Sequence, residues 1–97
     1  MTQRHEQTEA RAIIQRAIAA GYTVSVNDGE EYVIKRSRDC EAIMATLFST
    51  DSDWLLIRNA AGEKIGVIWF VYGNGPGELA ADYTAKPEIE KLVEIEM

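Results

Sequence analysis

The chain predicts an α+β domain: an antiparallel sheet of four to five strands with helices packed on one face, in the order αββαββ(β)α. Three observations carry that reading. Apolar residues recur at helical offsets in two places, beginning at Ala10 and at Cys40. Each helical face is followed by two short apolar runs parted by turn residues, which is the pattern of a hairpin. Helix–strand–strand therefore occurs twice, without residue identity between the halves. A pseudo-symmetric antiparallel sheet under one helical layer is the simplest arrangement that follows.

The first helical face consists of Ala10, Ile13, Ile14, Ala17 and Ile18, and Gly21 stands where a left-handed cap would end the helix. Thr8 or a neighbour is expected to start it, leaving residues 1–7 disordered. Tyr22 to Val26 alternates as a half-buried strand, Asn27-Asp28-Gly29 tolerates the positive φ of a tight turn, and Tyr32 to Lys35 returns. Ser37 is the expected N-cap of the second helix, with Asp39 in its first turn, where negative charge suits the helix dipole. Its face is Cys40, Ile43, Met44, Leu47 and Phe48, and Ser49 to Ser52 ends it. A third strand runs from about Asp53 to Arg58. Asn59 to Gly62 turns into a fourth from about Lys64 to Tyr72. Leu79 to Thr84 suits a short fifth strand, and Pro87 the first turn of a last helix with Ile89, Leu92 and Val93 on its inner face. The alternation from Val93 to Met97 leaves a strand open as the other reading of that end; the helix, with its last turn frayed, is favoured.

Composition narrows the function. The 97 residues suffice for one domain of ordinary composition, 46% hydrophobic and 27% charged. A net charge of −6 argues against a protein that binds nucleic acid through phosphate contacts, and Lys35, Arg36 and Arg38 form its one small basic cluster. The charge leaves room for an acidic mimic of DNA, with Asp28, Glu30, Glu31, Asp51 and Asp53 as its carboxylates. Cys40 is the single cysteine, so no intramolecular disulfide forms. Residues 1–9 are polar, unlike a signal peptide, and no apolar run approaches a membrane span, so a cytoplasmic protein without a membrane partner is expected.

Catalytic chemistry is sparse. His5 is the only histidine and falls in the expected disordered arm, Cys40 falls on an apolar helix face, and no His/Cys set has zinc spacing. No cofactor is expected. The candidate residues gather around the fourth strand and its exit. Ile65, Val67, Trp69 and Val71 alternate with Ile68, Phe70 and Tyr72, so the strand is apolar on both faces. One-sided helix cover should instead give alternation. The favoured explanation is a central strand whose second face is covered by a helix or by the C-terminal segment; otherwise another chain covers it, with Trp69 or Tyr72 as anchors. After it comes Gly73-Asn74-Gly75-Pro76-Gly77-Glu78, whose backbone amides and Asn74 suit contact with a ligand or partner. No Lys-Ser/Thr follows and no helix opens directly from it, so it is not a phosphate loop, and turn chemistry alone accounts for its composition. Glu78 and Asp82 are a possible carboxylate pair beside it, although acidic loop residues are far more often solvated.

Tyr22-Thr23-Val24-Ser25-Val26, Asp28 to Glu31, Lys35-Arg36-Ser37, Val71 to Pro76 and Asp82-Tyr83-Thr84 resemble a family of small uncharacterised proteins of bacteriophages, prophages and proteobacteria. The resemblance covers roughly residues 10–85. It implies no activity, substrate or catalytic residue; it implies a protein that binds and modulates a host or phage component. The order from the second helix onward also matches a double-stranded RNA-binding domain, but the basic phosphate-contacting residues are missing. The expected function is thus a non-enzymatic binding or accessory protein acting through protein–protein contacts, as a homodimer or on another protein. An acidic DNA mimic directed at a host defence complex and a small-ligand binder at the glycine loop are the alternatives.

Overall fold

The computed structural model describes residues 2–73 and 79–93. Three helices and five strands follow in the order α1 (Thr2–Ala19), β1 (Thr23–Asn27), β2 (Tyr32–Ser37), α2 (Cys40–Met44), β3 (Ser52–Arg58), β4 (Lys64–Val71), β5 (Ala80–Tyr83) and α3 (Pro87–Val93). The strands form one antiparallel sheet in the order β2-β1-β3-β4-β5. The predicted α+β class and element order hold. Each half contributes a hairpin, and the two hairpins join through their first strands, β1 against β3, in an unbroken register from Thr23↔Arg58 to Asn27↔Trp54.

All three helices pack on one face. Ala10, Ile13, Ile14 and Ala17 of α1, Ile43 of α2 and Ile89 and Leu92 of α3 share one buried cluster with Val24, Val26, Leu55, Ile57, Ile68 and Phe70 of the sheet. The inward strand residues alternate, as period-two geometry requires. On the opposite face, among the described residues, there is no helix. The expectation that a helix covers the second face of β4 is therefore corrected: Val67, Trp69 and Val71 stay half-buried on an open sheet face. Cover by the C-terminal end of the chain falls on residues 94–97, outside the described residues, as does the expected fraying there.

Local chemistry explains most element ends. Gly21, at φ 88°, closes α1 with paired bonds from its own N–H to the Ile18 carbonyl and from the Tyr22 N–H to the Ala17 carbonyl. In the β1–β2 turn the Asp28 carboxylate accepts from the Glu30 and Glu31 amides, and Gly29 takes φ 103°. Those amides hold the Asp28 carboxyl below its ordinary range. Strand β2 is a sheet edge broken by irregular pairing to β1, with Arg36 at φ 49°. There the buried Ser25 hydroxyl accepts the Arg36 N–H that the ladder would otherwise leave unpaired.

Two helices differ from expectation in their boundaries. The N-cap of α2 is Asp39, which accepts from the Glu41 and Ala42 amides, while Ser37 ends β2 and accepts the Asp39 N–H. The helix stops at Met44, because the Thr46 and Leu47 amides bond three residues back and the Thr46 hydroxyl donates to the Ile43 carbonyl. Its intended face persists beyond the helix: Leu47 is buried, and Cys40, Met44 and Phe48 pack against the core. Burial pushes the Cys40 thiol above its ordinary pKa, away from the reactive thiolate. The other difference is at the start of the chain. Helix α1 begins at Thr2, so residues 2–7 are helical where disorder was expected, and Glu6 is buried.

Gly66 shows how tightly α3 approaches β4. A Cβ there would lie 2.7 Å from Ile89 Cγ1 and 2.9 Å from Thr84 Cβ. Ile89 is fully buried, and the Thr84 hydroxyl accepts the Val67 N–H at 3.0 Å, so neither can retreat freely. Gly66→Ala is expected to destabilise by about 1–3 kcal/mol through overpacking. Thermal melting tests this, and an unchanged melting temperature would mean that α3 sits more loosely.

Candidate functional site: the open sheet face and the acid cluster beneath it

Strand pairing builds the open face. Trp54 on β3 stands opposite Trp69 on β4, and Leu56 opposite Val67, while their neighbours Leu55 and Ile68 point into the core. The two indoles stack with centroids 5.1 Å apart and an interplanar angle of 13°. Such a pair contributes about 0.5–1.5 kcal/mol beyond its buried area. Trp54 nevertheless remains 42% exposed. Trp69 continues the row to β5, where Asp82 is its ladder partner. Trp54, Val67, Trp69, Asp82, Tyr83 and Thr84 together line an open recess of about 250 Å³. Trp69 Nε1 is buried and has no acceptor among the described residues.

The predicted site residues thus separate into three groups. Trp69 and Asp82 come together in the recess. Tyr72 does not join them: it lies past the end of β4 on the helix side, its ring 4.3 Å from that of Phe48, and it packs against the core. Of the two anchors offered for the uncovered face of β4, Trp69 stands on the open side and Tyr72 on the side that the helices cover. Asn74 and Glu78 lie outside the described residues, and with them the pairing of Glu78 with Asp82. Trp54 and Tyr83, both exposed aromatics, were missed. The period-two signal in β3 puts Trp54 on the face of Leu56, but only the strand register reveals Trp69 beside it.

Beneath the start of the glycine loop is a second polar group, inside the protein. Asp53 is fully buried; its Oδ2 accepts from the Tyr72 hydroxyl and from the Phe48 N–H at 3.4 Å, and its Oδ1 has no partner among the described residues. Phe48 reaches this position at φ 67°. Glu6 of α1 accepts the Gly73 N–H at 2.7 Å and fixes the point where the chain leaves β4. Burial raises the Asp53 carboxyl above its ordinary pKa, against the Tyr72 hydrogen bond that lowers it. The Tyr72 hydroxyl is pushed far up by burial and by Asp53. Among the described residues, no group of three or more His, Cys, Asp or Glu side chains is arranged to hold a metal ion. Of the carboxylates proposed for nucleic-acid mimicry, Asp53 is internal and Asp28 is half-buried, while Glu30, Glu31 and Asp51 are exposed near the β1–β2 turn or the start of β3.

No family model, curated protein or solved structure matches the chain. Among the described residues, no helix is long and apolar enough to cross a membrane.

The acid cluster makes stability depend on pH. Because Asp53 is raised in the folded state, the folded chain keeps that proton at pH values where the unfolded chain has released it. Asp53 therefore favours folding below its ordinary value of 3.8, and the contribution is lost as pH rises through the higher folded value. Asp53→Asn removes this dependence. The stability difference between Asp53→Asn and wild type, followed by urea unfolding, is expected to shift in favour of the variant from pH 4 upward; a pH-independent difference would contradict it. Tyr72→Phe removes the main hydrogen bond to a buried carboxyl and is expected to lower stability by about 1–3 kcal/mol in the same assay.

Proposed function

We propose that the chain is a non-enzymatic binding or accessory protein, of phage or prophage type, whose protein partner seats on the open face of the sheet. One observation carries this reading: a stacked Trp54–Trp69 pair, with Leu56, Val67 and Val71 around it, on the face that no described helix covers. Aromatic residues held in place on an exposed apolar surface are the usual anchors of protein interfaces. The resemblance to small phage and prophage proteins supports the setting. A second copy of the chain and a different protein both remain occupants of the surface under this reading.

Mimicry of nucleic acid has less support. It needs a lattice of outward carboxylates, yet Asp53 is internal, and the Asp28 carboxylate is engaged with the amides of its own turn. The small-ligand reading rests on Asn74, Glu78 and Asp82, of which only Asp82 is among the described residues.

Sedimentation velocity on the purified chain separates self-association from a different partner. Capture from the native host with tagged wild type, Trp54→Ala and the helix-side control Glu88→Ala, at an exposed position of α3, then tests the surface. Trp54→Ala is expected to stay folded and to lose the retained protein, or the dimer, by 2 kcal/mol or more, about thirtyfold in affinity. Glu88→Ala is expected to retain it. Equal retention by all three proteins would sink the assignment.

A further inference from the structure

We propose that the recess beside Trp69 receives a lysine or arginine side chain of the partner protein. The proposal rests on the open sheet face being the docking surface, and it names the chemistry that this surface selects.

Three of the six lining residues are aromatic, and one is a carboxylate. Trp54, Trp69 and Asp82 lie in one row across three adjacent strands, because Trp69 is the ladder partner of both Trp54 and Asp82. Aromatic faces are the negative part of the ring quadrupole and attract cations, tryptophan most strongly. Asp82 adds a formal negative charge at the end of the same row. It accepts a hydrogen bond from the Tyr83 N–H at 2.8 Å, and among the described residues no basic side chain pairs with it. The counter-charge is therefore available to an incoming group.

The walls fit the rest of such a side chain. Val67 and the aromatic rings offer apolar surface for the methylene stem of lysine or arginine, which prefers to lie on such surface while its head stays near charge and water. A purely apolar side chain would instead shield Asp82 from water without giving it a partner, which is unfavourable. An acidic side chain would meet both the carboxylate and the ring faces. The net charge of −6 acts in the same sense over longer range: it attracts a basic protein and repels a second copy of this chain. Charge complementarity thus selects a basic partner from the occupants left open above.

The test uses small probes on the whole chain. N-acetyl-arginine amide and N-acetyl-lysine amide are titrated at low ionic strength, with N-acetyl-citrulline amide and N-acetyl-norleucine amide as their uncharged counterparts. The chain has two tryptophans, and both line the recess, so both indole N–H signals in a 15N-resolved NMR spectrum report on it. The cations are expected to shift both signals saturably, with the uncharged probes about fivefold or more weaker. Asp82→Asn, at an exposed strand position, is expected to weaken the cations about two- to fivefold and to leave the uncharged probes unchanged. Trp54→Leu, checked for folding by its melting temperature, is expected to remove the preference for cations. Equal affinity for charged and uncharged probes, no indole shift, or no effect of Asp82→Asn would overturn the proposal. If the probes fail while Trp54→Ala still releases the captured partner, the cation site falls and the docking surface stands. If Trp54→Ala also retains the partner, both fall.

Discussion

The pairing of β3 with β4 is the constraint on which the rest of the structure depends. Its register runs from Ser52↔Val71 to Arg58↔Lys64 through the middle of the sheet. That register alone puts Leu55 beside Ile68 and Asp53 beside Phe70 under the helices, and Trp54 beside Trp69 and Leu56 beside Val67 on the other side. A shift of one residue would exchange the two sets, because side chains alternate with a period of two. It also sets Gly66 opposite Ile57, where Ile89 of α3 packs tightly against the sheet. Core, helix docking and indole stack are thus three consequences of one alignment.

The same alignment explains the buried acid. Asp53 occupies an inward position of β3, so it enters the core together with Leu55 and Ile57. Tyr72, just past the end of β4, brings the hydroxyl that partly satisfies it, and Glu6 ties the next residue, Gly73, to α1. A buried carboxyl with one oxygen unpartnered among the described residues is destabilising when ionised, and its raised pKa expresses that cost. This polar arrangement holds the end of β4 in relation to two other elements, the first helix and the loop through Phe48.

What the sequence made legible follows from how local each feature is. Helical offsets in α1, the Gly21 cap, the Asn27-Asp28-Gly29 turn and the strand alternation are all specified within a few residues, and they placed the elements and their order. The start of α1 was not legible, because residues 2–7 have no apolar period and Glu6 is fixed by a contact 67 residues away. Asp39 and Ser37 are both good capping residues two positions apart, and only the observed bonds decide between them. Alternation along β4 already separates Tyr72 from Trp69. Since both faces are apolar, alternation could not say which one the helices cover. Trp54 belongs to the site through a cross-strand pairing, which no single run of sequence displays.

The indole stack gives the open face a property that scattered exposed apolar residues lack. Each ring covers part of the other, so the pair is stabilised within the free protein, while Trp54 keeps 42% of its surface available. Both indoles stand on neighbouring strands of a five-stranded sheet and already share one stacked geometry. A partner that contacts them therefore has less side-chain freedom to remove than it would with aromatics on a loop, and that loss is one of the main costs of association. Trp69 Nε1 marks the limit of this preorganisation: it is a buried donor that neither the stack nor the ladder satisfies. The row from Trp54 through Trp69 to Asp82 is thus stacked at its aromatic end and open to a counter-ion at its acidic end, the combination that discriminates a cation from an apolar group of equal size.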